Sequence, residues 1–188
     1  MVVPVAMEDE DDDFEQEQPV DLPADLNNLL TAAELGNVHD LSQALGELSV
    51  SVNDAGEDGD TALHLACLYG HTPCVQILLE AGASIDVKDE DGAIPLHDAS
   101  AGGYVEIVKA LLTAAQGDEQ KVKRLLETTD IDGDAPLHHA ARGNHSNVVE
   151  VLLSYGASPS PQNIQGKTPA ELTDDANVQK LLVAAVCQ

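Results

Sequence analysis

The stretch GDTALHLA at residues 59–66 returns in altered form further along the chain. It reappears as GAIPLHDA at 92–99, as GDAPLHHA at 133–140, and as the shorter copy GKTPA at 166–170. The leading glycines are therefore 33, 41 and 33 residues apart. Self-similarity at this period indicates a solenoid of stacked supersecondary units. Such a fold offers an extended surface for binding.

The pattern T/x-P-L-H-x-A at a 33-residue period resembles the ankyrin repeat. The resemblance implies an all-α solenoid of stacked helix-turn-helix units joined by β-hairpin turns. About five repeats fit residues 26–186, and the first and last depart from the motif, as solvent-facing end repeats do. Their approximate bounds are 26–55, 56–88, 89–129, 130–162 and 163–186.

The third repeat contains eight more residues than its neighbours, and the excess lies within an insertion at 114–126. Asp118 is of the type that caps a helix, and Val122, Leu125 and Leu126 share one helical face. The insertion therefore predicts an additional or lengthened helix on the outer side of the stack, and this helix concentrates basic residues.

The chain is strongly acidic, with 34 Asp and Glu against 8 Lys and Arg and a formal charge of −26. Residues 1–25 contain ten of the acids and no base, which predicts a disordered acidic tail ahead of an ankyrin domain at 26–186. The negative field of the repeats repels nucleic acid and anionic membrane surfaces. We therefore expect a basic protein partner, with neither nucleic acid nor membrane as a ligand.

Three cysteines without a framework spacing indicate a reducing compartment. No apolar run reaches the roughly 18 residues of a membrane span. The first seven residues lack the basic segment of a secretory signal. These features predict a cytoplasmic or nuclear protein, and we expect it to be a monomer.

Two motifs resemble metal-binding sites, but the repeat explains their residues better. The stretch DIDGD at 130–134 resembles a calcium loop, but its twelfth position is Ala141 instead of a glutamate, and Asp and Gly suit a hairpin turn. A second set, at loose zinc spacing, is His64, Cys67, His71 and Cys74. The resemblance gives His64 another role, which is to order the hairpin and the helix start through hydrogen bonds. We expect no metal and no cofactor.

The evidence for a set of catalytic residues is equally weak. His138 and His139 with Ser146 or Ser154 lack a nucleophile elbow, and the chain has no phosphate-binding glycine loop. We therefore expect a non-enzymatic protein.

The hairpin tips and inner helices of an ankyrin stack line one concave groove, so acids at the tips are candidates for partner binding. The predicted tip residues are Glu57, Asp58, Asp60, Glu90, Asp91, Asp132 and Asp134. Asp89 and Asp130 add to the same rim, and only Lys167 weakens it. A solvated charged surface is the alternative interpretation of these acids.

Three further residues complete the predicted binding surface. Tyr69 and Tyr104 lie at helix junctions and are of the type that anchors interfaces. Arg142 is expected to be the lone cation of the groove, free to pair with a partner carboxylate.

The leading functional prediction is a non-catalytic interaction module, an adaptor or scaffold, that binds a basic segment of a partner through an acidic concave groove. An alternative is an ankyrin-only regulator, such as a kinase inhibitor or a chaperone of the proteasome-assembly type. An enzyme or metal-dependent protein is a third possibility. It predicts stoichiometric zinc or calcium in the purified chain, and metal analysis that finds neither would exclude it.

Overall fold

A computed structural model of the protein describes residues 22–186, so the predicted tail lies outside the described residues except for its last four. Ten α-helices and one 3-10 helix form this part of the chain. The helices are α1 (Ala24–Leu35), α2 (Val38–Glu47), α3 (Ala62–Leu68), α4 (Thr72–Glu80), α5 (Pro95–Ala101), α6 (Val105–Ala114), α7 (Glu119–Glu127), α8 (Pro136–Arg142), α9 (Ser146–Ser154), the 3-10 helix Pro169–Glu171, and α10 (Ala176–Val186).

The repeated motif fixes where each inner helix begins. Pro95 and Pro136 occupy the first turns of α5 and α8, where a backbone N–H would have no partner within the helix. In the second repeat Thr61 takes the position before the helix, and the backbone N–H of Thr61 donates to Nδ1 of His64 at 3.2 Å. Ala55 and Thr61 also form an isolated antiparallel bridge, which closes the hairpin before α3.

The motif histidines of the third and fourth repeats join their repeat to the next. Nδ1 of His97 accepts from the backbone N–H of Ile94 at 3.0 Å, so the ring proton is on Nε2, which donates to the carbonyl of Asp134 at 3.1 Å. His138 repeats this geometry with Ala135 and Pro161. Burial lowers the pKa of His97 to about 4, and its ring is therefore neutral at pH 7.

The helices stack as two layers. The inner helices α1, α3, α5 and α8 pack in that order, and the outer helices α2, α4, α6, α9 and α10 pack behind them. The largest side chains buried between the layers are Leu29, Leu41, Leu63, Leu78, Ile94, Leu96, Ile107, Leu111, Leu112, Leu125, Leu137 and Leu152. This arrangement confirms the predicted ankyrin solenoid.

Helix α7 lies where the sequence predicts an inserted helix. The carboxylate of Asp118 accepts from the backbone N–H of Lys121 at 2.9 Å, and Leu125 and Leu126 are buried. Its basic side chains form ion pairs within the chain, such as Lys121 with Asp86 at 3.5 Å. None of the helices in residues 22–186 is long and apolar enough to cross a membrane.

The last repeat keeps the motif's geometry with a different residue. Glu171 takes the position of the motif histidine, and its Oε2 accepts from the backbone N–H of Thr168 at 2.9 Å. The inner helix of this repeat is shortened to the 3-10 helix Pro169–Glu171. Helix α10 follows at Ala176–Val186.

Candidate functional site

The hairpin tips of successive repeats are joined through their backbones. The N–H of Glu90 donates to the carbonyl of Asp58 at 3.4 Å, that of Ile131 to Asp91 at 2.8 Å, and that of Ile164 to Asp132 at 3.0 Å. Because these bonds recur at equivalent positions, the residues two places before each motif glycine form one line. We call this line the tip row, and its members are Glu57, Glu90, Ile131 and Ile164.

The motif glycine is required by this stacking. Gly59 has a φ of +77°, a conformation that L side chains rarely adopt. A Cβ at this position would lie 2.7 Å from the backbone nitrogen of Glu90. Gly59 therefore makes the turn and also lets the next tip approach closely.

The accessible side of the inner helices faces these hairpins. Nε2 of His139 on α8 lies 2.7 Å from Oδ2 of Asp130, which is in the hairpin before the helix. Asp98 on α5 and Leu65 on α3 take the position equivalent to His139, one and two repeats earlier respectively. All three are partly exposed, and they line the groove between the tips and the inner helices.

Three aspartates in the second and third repeats form an uncompensated negative site. We call Asp60, Asp89 and Asp98 the acidic triad. Burial raises the pKa of Asp98 to about 8, and the charges of Asp60 and Asp89 add to this effect. Burial likewise raises the pKa of Asp60 to about 6, with contributions from Asp89, Asp58 and Asp91. Within residues 22–186, none of the three forms a salt bridge.

Asp98 is the most unusual member of the triad. Its Oδ2 is buried and accepts no hydrogen bond from any residue of the described range. A carboxylate in this state is stabilised by a proton or by a cation from outside, because the described part of the chain supplies neither a donor to Oδ2 nor an ion-pair partner. The triad is thus suited to receive an ammonium or guanidinium group.

The fourth repeat differs because its acids are satisfied internally. Asp134 is fully buried, forms an ion pair with Arg142, and accepts from Nδ2 of Asn163 at 2.8 Å. Burial favours a higher pKa for Asp130, but hydrogen bonds from His139 and from the backbone of Asp134 hold that pKa below its ordinary value. The negative rim is therefore concentrated in the second and third repeats.

Two predicted site residues need correction here. The prediction that Asp134 points into the groove is wrong, because Arg142 and Asn163 draw its carboxylate inside. Arg142, which the sequence predicts could pair with a partner carboxylate, pairs with Asp134 within the chain, while 44% of its side chain stays exposed. The other predicted acids, Glu57, Asp58, Glu90, Asp91 and Asp132, are exposed on the tips, and Asp60 is partly buried.

The two tyrosines have separate roles. Tyr69 is 48% exposed and stacks on His71 with 6.3 Å between ring centroids, so its outer face is open. Tyr104 is half-buried, and a Cβ at Gly70 would lie 2.4 Å from its ring. The ring of Tyr104 therefore packs one repeat against the previous one, and it is not the free interface anchor that the sequence predicts.

Donor atoms of Asp130, Asp134 and His139 lie within 4.8 Å of one another. They fit a metal poorly, because Asp134 is paired with Arg142 and Asp130 with His139, and a cation would have to displace these partners. The aspartates of the DIDGD stretch serve the turn, since Oδ1 of Asp130 accepts from the N–H groups of Asp132 and Asp134.

Sequence reasoning missed three residues of this surface: Asp98, Ile131 and Ile164. Each is visible when the repeats are aligned by their motif glycines. Asp98 falls where the second repeat has Leu65, and the two isoleucines fall where earlier tips have glutamate.

The family model described as "Ankyrin repeats (3 copies)" matches residues 29–117 and 112–173. The chain belongs to the ankyrin-repeat family. Among curated proteins it is similar to cortactin-binding protein 2 of Ornithorhynchus anatinus, with 46% identity over 63 residues, 34% of this chain and 4% of the relative. The proteins of that name from Echinops telfairi and Mus musculus are 47% identical over 53 residues, 28% of this chain and 3% of each relative. The chain thus matches a small part of these relatives.

Proposed function

We propose that this protein is a non-catalytic interaction module, acting as an adaptor or scaffold, that binds a basic segment of a protein partner through the groove of its second and third repeats. Ankyrin repeats are protein-interaction units, and the relatives are named for binding cortactin, which supports a binding role in general terms. The partner's chemistry is inferred from the groove alone.

The acidic triad is the observation that favours a basic partner. Asp98 and Asp60 have raised pKa values because burial and neighbouring carboxylates disfavour their charged forms. A lysine or arginine placed among them would relieve this repulsion and restore ionisation. Glu57, Asp58, Glu90 and Asp91 extend the negative field around the triad and would attract a basic segment from a distance.

The proposal is tested with a fluorescein-labelled oligolysine peptide and the double variant Asp60→Asn with Asp98→Asn. We expect affinity to fall about five- to tenfold, because two charge-assisted contacts are lost. The affinity of the wild type should also fall as salt increases.

The matched control is Glu80→Gln with Glu150→Gln, which replaces the same number of carboxyl groups at exposed positions on the outer helices α4 and α9. Its affinity should stay close to wild type. Equal losses in both double variants would show attraction by net charge alone and would refute a groove site.

A further inference from the structure

The tip row changes its chemistry halfway along the stack. Glu57 and Glu90 are exposed acids, whereas Ile131 and Ile164 are 65% and 72% exposed apolar side chains at the equivalent positions. The turn itself does not need an apolar residue here, because glutamate makes the same tip in the earlier repeats. The fold therefore gives no reason for the two isoleucines.

The two isoleucines lie one repeat apart on the same row. A single exposed isoleucine is unremarkable, but two at consecutive tips, held in register by backbone hydrogen bonds, present apolar area along one edge. The half of the tip row that holds the isoleucines is less negative than the other half, because Asp134 of the fourth repeat is buried and paired with Arg142. Lys167 adds a positive charge in the fifth repeat.

We infer that the partner segment is amphipathic along its length, with basic side chains over the second and third repeats and apolar side chains over Ile131 and Ile164. This inference rests on the proposed function and adds the order of residue types that the partner must have. Charge complementarity places the basic half at the acidic triad, and the apolar half then reaches the isoleucines.

The size of the segment follows from the stacking. Neighbouring helices pack about 9 Å apart, so the tips of the second and fifth repeats are separated by roughly 27 Å. An extended chain rises about 3.3 Å per residue, and about eight residues span that distance. A short linear segment is long enough to contact both halves of the row.

Two peptides of about twelve residues test the inference, a length that covers the roughly 27 Å row with margin. One has lysines in one half and leucines in the other, and the second has serines in place of the leucines. We expect the leucine peptide to bind about tenfold more tightly, a gain consistent with burial of a few apolar groups. Ile131→Ser with Ile164→Ser should abolish this gain and leave binding of the serine peptide unchanged.

Val183→Ser with Val186→Ser is the matched control, because these side chains are 54% and 57% exposed on α10, away from the tips. It should preserve the gain. Equal affinities for the two peptides, or equal losses in both serine variants, would overturn the inference. The proposed function would survive that result as long as the serine peptide still depends on Asp60 and Asp98.

Photo-crosslinking then tests the order. Benzoylphenylalanine in place of Ile164 should capture the leucine half of the peptide, and in place of Glu57 it should capture the lysine half. If each position captured the lysine half and the leucine half in equal amounts, the proposed order would be overturned, even if the affinity gain is present.

Discussion

Replacing Asp98 with asparagine should stabilise the fold at neutral pH and leave it unchanged in acid. Oδ2 of Asp98 is buried with no hydrogen-bond donor among residues 22–186, and burial with the charges of Asp60 and Asp89 raises the pKa of this carboxyl to about 8. The unfolded chain ionises at the ordinary value of 3.8. Between these two values the folded state holds a proton that the unfolded state has released.

The sign and size of the effect follow from proton linkage. Because the folded state binds more protons, the contribution of Asp98 to stability is fully present below the unfolded pKa. This contribution is lost as the pH rises through the folded pKa. The limiting slope for one proton is about 1.4 kcal/mol per pH unit. Since Asp98 is partly exposed, solvent screens some of this, and we expect Asp98→Asn to gain about 2 kcal/mol over wild type between pH 5 and 7.5.

Urea unfolding followed by circular dichroism at pH 5, 6, 7 and 8 measures the effect. The difference between wild type and Asp98→Asn is the useful quantity, because the motif histidines titrate in both proteins and cancel. Asp91→Asn is the control, since it removes a carboxylate from an exposed tip. If the difference between wild type and Asp98→Asn does not grow with pH, Asp98 is not a buried, unsatisfied carboxylate.

Three other sets of substitutions test the stacking. Gly59→Ala should destabilise the fold by about 3 kcal/mol and Gly166→Ala by about 1 kcal/mol. Both glycines have a positive φ, but of the two only Gly59 has a backbone atom of another hairpin within 3 Å of the added Cβ. Thermal unfolding of the two variants measures the difference. Arg142→Ala should cost about 2 kcal/mol in urea unfolding by leaving a buried carboxylate, whereas Lys109→Ala, at an exposed pair, should cost under about 0.5 kcal/mol. His97→Ala should lower the free energy of unfolding by about 2–3 kcal/mol at pH 7 and by less at pH 5. The reason is that burial depresses the pKa of His97, so the wild type itself loses stability as the pH falls from 6.5 toward 4. A loss in the variant that does not shrink in acid would contradict this.

The fold could be predicted because the motif specifies local geometry and long-range register together. Gly59 sets both the turn and the approach of the next hairpin, and His97 pairs with the start of its own helix and with the following repeat. The fifth repeat was harder to predict, since Glu171 replaces the histidine with equivalent hydrogen bonding while the inner helix shrinks to a 3-10 turn.

The binding surface was predicted less well because a position in the repeat does not fix the environment of its side chain. Asp60 and Asp134 both follow a motif glycine, yet only Asp134 has an arginine eight residues later and an asparagine from the next repeat. Those two partners decide that Asp134 is buried and satisfied. Arg142 lies eight residues after Asp134, beyond the three- or four-residue spacing that predicts a pair on one helix, and the contact with Asn163 depends on how the repeats stack.

The comparison between repeats also separates residues that serve the fold from residues that oppose it. At one inner-helix position the chain uses Leu65, Asp98 and His139 in turn, and residues 22–186 supply no hydrogen-bond partner for Oδ2 of Asp98. Leucine at this position is compatible with the fold, so the carboxylate is not a structural requirement. A residue that destabilises the free protein and adjoins two further acids is best explained by a ligand that is present when the protein works. If that ligand is a cation, Asp98→Leu should raise stability and weaken oligolysine binding in the same variant. A stabilised variant with undiminished binding would show that the triad is not the site.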